Sequence, residues 1–167
     1  IVAEGYTGGN TISIDLNLIG TDITHTANLG NKGDGIRLKL DKTILGAIDG
    51  PHIYMNTIVT NHGNGIAILG NAPSWVAGNR IGITFNESGK PLELGNREMG
   101  VLLGEQADDN VIGWGQSFVN TIANQINHIA YNTHAGIMVK GGVNQNLRGN
   151  ILFHNGGELN TLGIDLG

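Results

Sequence analysis

Three charged residues in this chain sit where a strand would point them the same way. Arg37, Lys39 and Asp41 alternate with Ile36, Leu38 and Leu40, so an extended backbone puts the charges on one face and the aliphatics on the other. A cation beside carboxylates is the kind of set a polysaccharide lyase uses. The cation removes a proton, and the carboxylates hold Ca²⁺ against the substrate's own carboxyl. Arg37, Lys39 and Asp41 are therefore the catalytic candidates. The densest acidic run, EQADDN from Glu105 to Asn110, offers Asp108 and Asp109 as Ca²⁺ ligands. Calcium loops usually alternate their ligands around a Gly bend. This run does not, so the chain is expected to work without a cofactor. Asp15, Asp22, Asp41, Asp49 and Asp165 are scattered and define no glycosidase pair.

Other side chains carry weaker signals. Six histidines are present, none paired along a helix. Trp114 and Phe118, in IGWGQSF, are the candidates for stacking on a sugar, whereas Trp75 beside Val76 is expected in the core. Asn86-Glu87-Ser88 is an acceptor sequence for N-glycosylation. No nucleophile elbow, phosphate-binding loop or dinucleotide fingerprint occurs.

Composition narrows the classes. The net charge is −5 and no stretch is rich in Lys or Arg, so nucleic acid is not an expected partner. There is no cysteine, which excludes disulfides and thiolate metal sites and fits a bacterial secreted or surface protein. No run of 18 apolar residues occurs, so no membrane insertion is expected. Gly (28) and Asn (21) are abundant, aromatics are only 5%, and Ile, Leu and Val dominate the apolar residues. That is the composition of many short strands joined by tight turns.

Two phrases alternate along the chain and must position everything else. Asn-x-(Ile/Leu) begins at Asn17, Asn56, Asn79, Asn124 and Asn150. Gly-(Ile/Val) begins at Gly35, Gly65, Gly100, Gly136 and Gly163. The steps from each Gly phrase to the next Asn phrase are 21, 14, 24 and 14 residues. The long steps suggest an additional strand, at Thr43 to Ile48 and at Asn110 to Trp114, and hence a period of two coils. No segment sustains helical spacing. Short fixed strands with loops of variable length describe a solenoid. The expected fold is all-β: a right-handed parallel β-helix of about five coils with three short strands each. On that plan the Asn residues occupy turns, where they adopt left-handed backbone and stack their amides, and the Gly residues serve the same turn function. His62 and His134 fall two coils apart, at about 9.6 Å, too far to share a metal. Stacking the Gly phrases places Ala67, Leu102, Met138 and Asp165 above Arg37, an outward column too apolar for a groove that neutralises acidic glycan.

The series GNRIG, LGN…GI, NTI…N, GNIL and the terminal GIDLG (Gly163 to Gly167) resembles the right-handed β-helix repeat modules of large secreted bacterial and archaeal proteins. The resemblance covers Asn10 to Gly167. It implies one module, residues 1–167, cut or processed from a longer chain, with an extracellular or cell-surface location. A regular scaffold, dispersed charge and no convergent set of polar residues point to a non-catalytic structural or adhesion role, and the strand edges exposed at both solenoid ends predict neighbouring domains or identical copies stacked there. Two alternatives share the fold: a carbohydrate-active enzyme or glycan-binding module, and a phage or viral fibre segment. The loops 20–34 and 82–99, the most variable parts, are expected either to form a private site or to cover the outward column.

Overall fold

The computed structural model describes residues 1–5, 12–41, 50–114, 125–157 and 162–167. Five coils of three strands are present, and a sixth begins. The first coil holds β1 (Val2–Glu4), β2 (Ser13–Asp15) and β3 (Leu18–Ile19). The second holds β4 (Ile36–Lys39), β5 (His52–Tyr54) and β6 (Thr57–Ile58). The third holds β7 (Ile66–Ile68), β8 (Trp75–Ala77) and β9 (Arg80–Ile81), then a hairpin of β10 (Ile83–Phe85) and β11 (Pro91–Glu93). The fourth holds β12 (Val101–Leu103), β13 (Val111–Gly113) and β14 (His128–Ala130). The fifth holds β15 (Ile137–Val139), β16 (Asn146–Arg148) and β17 (Ile151–Phe153), and β18 (Ile164–Asp165) opens the next.

Equivalent strands pair in parallel, coil on coil, into three sheets. Sheet 1 runs β1-β4-β7-β12-β15-β18, sheet 2 runs β2-β5-β8-β13-β16, and sheet 3 runs β3-β6-β9-β14-β17. The chain is a parallel β-helix, about 24 Å long over five coils at the usual strand spacing. The two-coil period is corrected: every coil carries the same three strands. β13, read as an additional strand, pairs β8 and β16 as an ordinary member of sheet 2. The additional strand expected at Thr43–Ile48 lies outside the described residues.

Alternation fills the interior with aliphatic columns. Ile36, Ile66, Val101 and Ile137 stack from sheet 1, Ile14, Ile53, Val76 and Ile112 from sheet 2, and Ile19, Ile58, Ile81 and Ile129 from sheet 3. β-Branched side chains fit this pleated, stacked surface better than flexible ones.

The corners are held by asparagine. One ladder, between sheets 2 and 3, runs Asn17–Asn56–Asn79–Asn127–Asn150 through its side-chain amides. A second, before sheet 1, runs Asn31–Asn61–Asn96–Asn132–Asn155. Asn79 shows how a rung closes. Its Oδ1 accepts from the backbone N and the Nδ2 of Asn56, each at 3.0 Å. Its Nδ2 donates to Asn127 Oδ1 at 3.0 Å and to Ile53 O at 2.8 Å. Every polar atom of a fully buried amide is thereby used, which is the condition for burying it without penalty.

Two details differ from expectation. Asn127, not Asn124, is the fourth rung, and Asn124 lies outside the described residues. Where a left-handed residue occurs at these corners it precedes the rung and is not the Asn itself: Leu16 (φ 58°), Met55 (φ 54°) and Gly78 (φ 69°) on the first ladder, Thr60 (φ 59°), Tyr131 (φ 59°) and His154 (φ 50°) on the second. Nor do the glycines that open the Gly phrases have positive φ. They are needed for close approach. A Cβ at Gly35, Gly65, Gly100 or Gly136 would lie 2.6–2.8 Å from the carbonyl oxygen of the equivalent Gly one coil on.

Candidate functional surfaces

On sheet 1, Arg37, Ala67, Leu102, Met138 and Asp165 form one outward column in register. Arg37 is already occupied. Its Nε donates to Glu4 Oε1 at 2.8 Å and its Nη1 to Asp34 Oδ2 at 3.2 Å, and these hydrogen bonds to the two carboxylates hold its proton still more firmly. A guanidinium so neutralised cannot act as a base. Lys39 and Asp41 are placed apart from it, in an open depression of about 720 Å³ that Glu4, Glu105 and Asp108 also line. One ammonium among four carboxylates repels a polyuronate. Strand β10 of the hairpin packs against sheet 3, touching β6, β9 and β14.

Asp108 and Asp109 serve the adjacent coil. Asp108 Oδ1 accepts from Val143 N at 3.0 Å and Asp109 Oδ1 from Asn144 Nδ2 at 3.0 Å. Among the described residues no group of three His, Asp or Glu side chains is placed to hold a metal. His134 pairs with Glu98 of the preceding coil, 3.5 Å away.

Sheet 2 carries an aromatic outer face. Trp75, expected in the core, points outward and is half-buried, while Val76 beside it fills the core. Its ring meets that of His52 edge-on at 5.3 Å, and His52 meets Tyr54 at 5.3 Å. Ser13 and Asp15 continue the same two outward columns into the first coil, in register with His52 and Tyr54, and the Ser13 hydroxyl donates to Asp15. Trp114 lies just past β13, 43% exposed, with the Arg148 guanidinium 5.3 Å from its ring centre. Phe118, its expected companion, lies outside the described residues. Sequence reasoning missed Trp75 because an aromatic beside a valine fits either face. The strict alternation of β8, with Val76 inward, was the usable signal.

The loops 20–34 and 82–99 do meet. They enclose a concavity of about 860 Å³ lined by Ile23, His25, Phe85, Asn86, Ser88 and Leu92 among others. Asp22 ties the first loop by accepting from Thr24 Oγ1, Thr26 N and Ala27 N, and the Thr24 bond is the main cause holding its carboxyl below the usual range. Asn86 ties the tip of the second, its Oδ1 accepting from Ser88 N, Ser88 Oγ and Lys90 N. Asn86 is exposed, so the sequon sits on an accessible turn. Thr21 Oγ1, His25 Nδ1 and Thr84 Oγ1 are buried without hydrogen-bond partners among the described residues. Comparison with protein-family models, with curated proteins and with solved structures finds no match.

Proposed function

We propose that this chain is a β-helix repeat module of a secreted or cell-surface protein, with a structural and adhesive role. The observation that carries this reading is the pair of asparagine ladders. They spend the buried amides of coils two to four on holding coil to coil. The ladders also have polarity, since each rung's N–H groups point to the Oδ1 of the next coil. One end of the solenoid therefore turns the Oδ1 atoms of Asn17 and Asn31 outward, and the other end turns the N–H groups of Asn150 and Asn155 outward. A further coil, from the rest of a longer chain or from a second copy, extends both ladders in register. Immunogold labelling of the native specimen tests the assignment. Label on the envelope or on extended extracellular material is expected, and label confined to the cytosol overturns it.

A second reading, glycan binding, is favoured by the aromatic face of sheet 2. Flat rings flanked by Ser13, Asp15 and Arg148 can stack on a sugar and hydrogen-bond its hydroxyls. A glycan array run with the parent protein and with Trp75→Ala tests it. Signal that Trp75→Ala leaves unchanged refutes this assignment of the face.

A further inference from the structure

Sheet 3 presents an outward column separate from both surfaces above. Leu18, Thr57, Arg80, His128 and Ile151 follow one another in register, coil by coil. Thr57, Arg80 and His128 line a concavity of about 360 Å³ together with Met55, Gly78 and Ile126. None of these residues carries a negative charge, in a chain whose net charge is −5. Arg80 has no carboxylate partner among the described residues, in contrast to Arg37. Phe85, the last residue of β10, holds the arrangement in place. The Arg80 Cζ lies 5.1 Å from its ring centre, and the His128 ring meets it edge-on at 6.4 Å.

We propose that Arg80, His128 and Thr57 form an oxyanion-binding subsite, for a carboxylate or sulfate group on a ligand that lies along sheet 3. A guanidinium fixed by an aromatic ring loses little freedom on binding, and its fork of N–H donors fits a planar or tetrahedral oxyanion. Thr57 and His128 take the register positions on either side of Arg80, with their strands about 4.8 Å from its own, close enough for one anion to span neighbouring donors. The anion also relieves a conflict. Burial first, and the Arg80 charge second, lower the pKa of His128. Among the described residues Arg80 is the charged group facing His128. Phe85 and Ile151 also neighbour it and do not titrate. A bound anion offsets the repulsion and favours the imidazolium, so binding must strengthen as pH falls through the His128 pKa.

The test is NMR of the histidine rings in the whole chain, titrated with sodium sulfate and, separately, with sodium glucuronate, against sodium chloride at equal ionic strength. The expected result is saturable binding of at least one oxyanion, with the His128 pKa raised by about half a unit or more. Arg80→Gln is expected to weaken binding about tenfold or more, and Arg80→Lys to retain part of it. A preference for sulfate or for glucuronate tells which group the subsite takes. Shifts that chloride reproduces, or that Arg80→Gln leaves intact, overturn the proposal. So does binding that is lost equally in Arg37→Gln, because a general charge effect would then explain it.

Discussion

Replacing Asn79 with Ala tests whether the ladders hold the coils together. Asn79 is fully buried. Truncation removes the acceptor of Asn56 N and of one Asn56 Nδ2 hydrogen, both at 3.0 Å. It also removes the donor to Ile53 O, Ala77 O and Asn127 Oδ1. A buried donor left without an acceptor costs about 1–3 kcal/mol, so the two Asn56 donors alone set a cost of about 2–6 kcal/mol. A water entering the vacated space recovers part of this, which places the expected loss near 2–4 kcal/mol. That is a large share of the ~5–15 kcal/mol that ordinary domains possess. Asn17→Ala is the control. Asn17 is partly exposed, and its Nδ2 donates to Asp15 O and Asn56 Oδ1. Its removal leaves Asn56 Oδ1 still accepting from Asn17 N at 2.9 Å, so no buried donor is orphaned and the expected cost is about 1 kcal/mol or less. Urea unfolding followed by circular dichroism reads the difference. With m near ~2 kcal/mol/M, the middle of the usual range, Asn79→Ala should lower the midpoint by about 1–2 M. A lower m in Asn79→Ala would show that the coils on either side unfold separately, as nearest-neighbour coupling allows. Equal costs for the two variants would falsify the view that closed rungs, rather than aliphatic columns alone, fix the stack.

Three further outcomes follow from the same geometry. Gly100→Ala puts a Cβ against Ile129 Cγ2 and 2.6 Å from Gly136 O, whereas at Gly163 the nearest atom lies 3.9 Å away. Thermal melts should therefore show Gly100→Ala destabilised by about 1–3 kcal/mol or more and Gly163→Ala near the parent. Leu16 holds φ 58° with its side chain 75% exposed, so Leu16→Asn should raise Tm through about 0.5–1 kcal/mol of relieved strain; an unchanged or lower Tm refutes that account. The folded-state pKa of His128 is lowered, by burial and then by Arg80, so the unfolded chain binds this proton more readily. The contribution of His128 to stability is present above its unfolded pKa of ~6.5 and is lost as pH falls through the lower folded value. Denaturation at pH 7.5 and pH 5.5 should show a steeper loss in the parent than in His128→Gln.

The solenoid was legible because its signals repeat. Aliphatic alternation placed Ile36, Leu38 and Leu40 inward, where they are buried, and the Gly phrases gave the sheet 1 register from Arg37 to Asp165 residue by residue. The second ladder was equally available. Asn31–Gly35, Asn61–Gly65, Asn96–Gly100 and Asn132–Gly136 all keep a spacing of four, because the amide and the glycine share one tight corner. The choice of Asn124 over Asn127 failed for a related reason. Asn124-Gln125-Ile126 satisfies the phrase locally, and only the five-residue step from Asn127 to Asn132, shared with Asn56–Asn61 and Asn150–Asn155, identifies the rung. The outer faces were less legible. Partners such as Glu4 for Arg37, or Phe85 for Arg80, come from other coils at separations that no local pattern encodes.

The ladders also decide where this chain can vary. From the first ladder to the second the separations are 14, 5, 17, 5 and 5 residues, coil by coil. Both long separations fall on coils one and three, with a minimal corner between them in coil two. An insertion there leaves both flanking rungs in place, because Asn79 and Asn96 are fixed from the coils on both sides and Asn17 and Asn31 from coil two. The strand hydrogen bonds need not move, and a surface loop costs little in closure entropy as it lengthens. The two insertions then have the height of only two coils in which to lie, about 9.6 Å, and so they must touch. Gly20 and Gly82, both left-handed, launch them. The corner of coil two supports them, with the Thr60 hydroxyl donating to Gly20 O and Thr60 N donating to Leu94 O at 2.9 Å. The concavity between Ile23, Phe85 and Leu92 is thus a product of the scaffold's rules, placed where the repeat permits variation without loss of register.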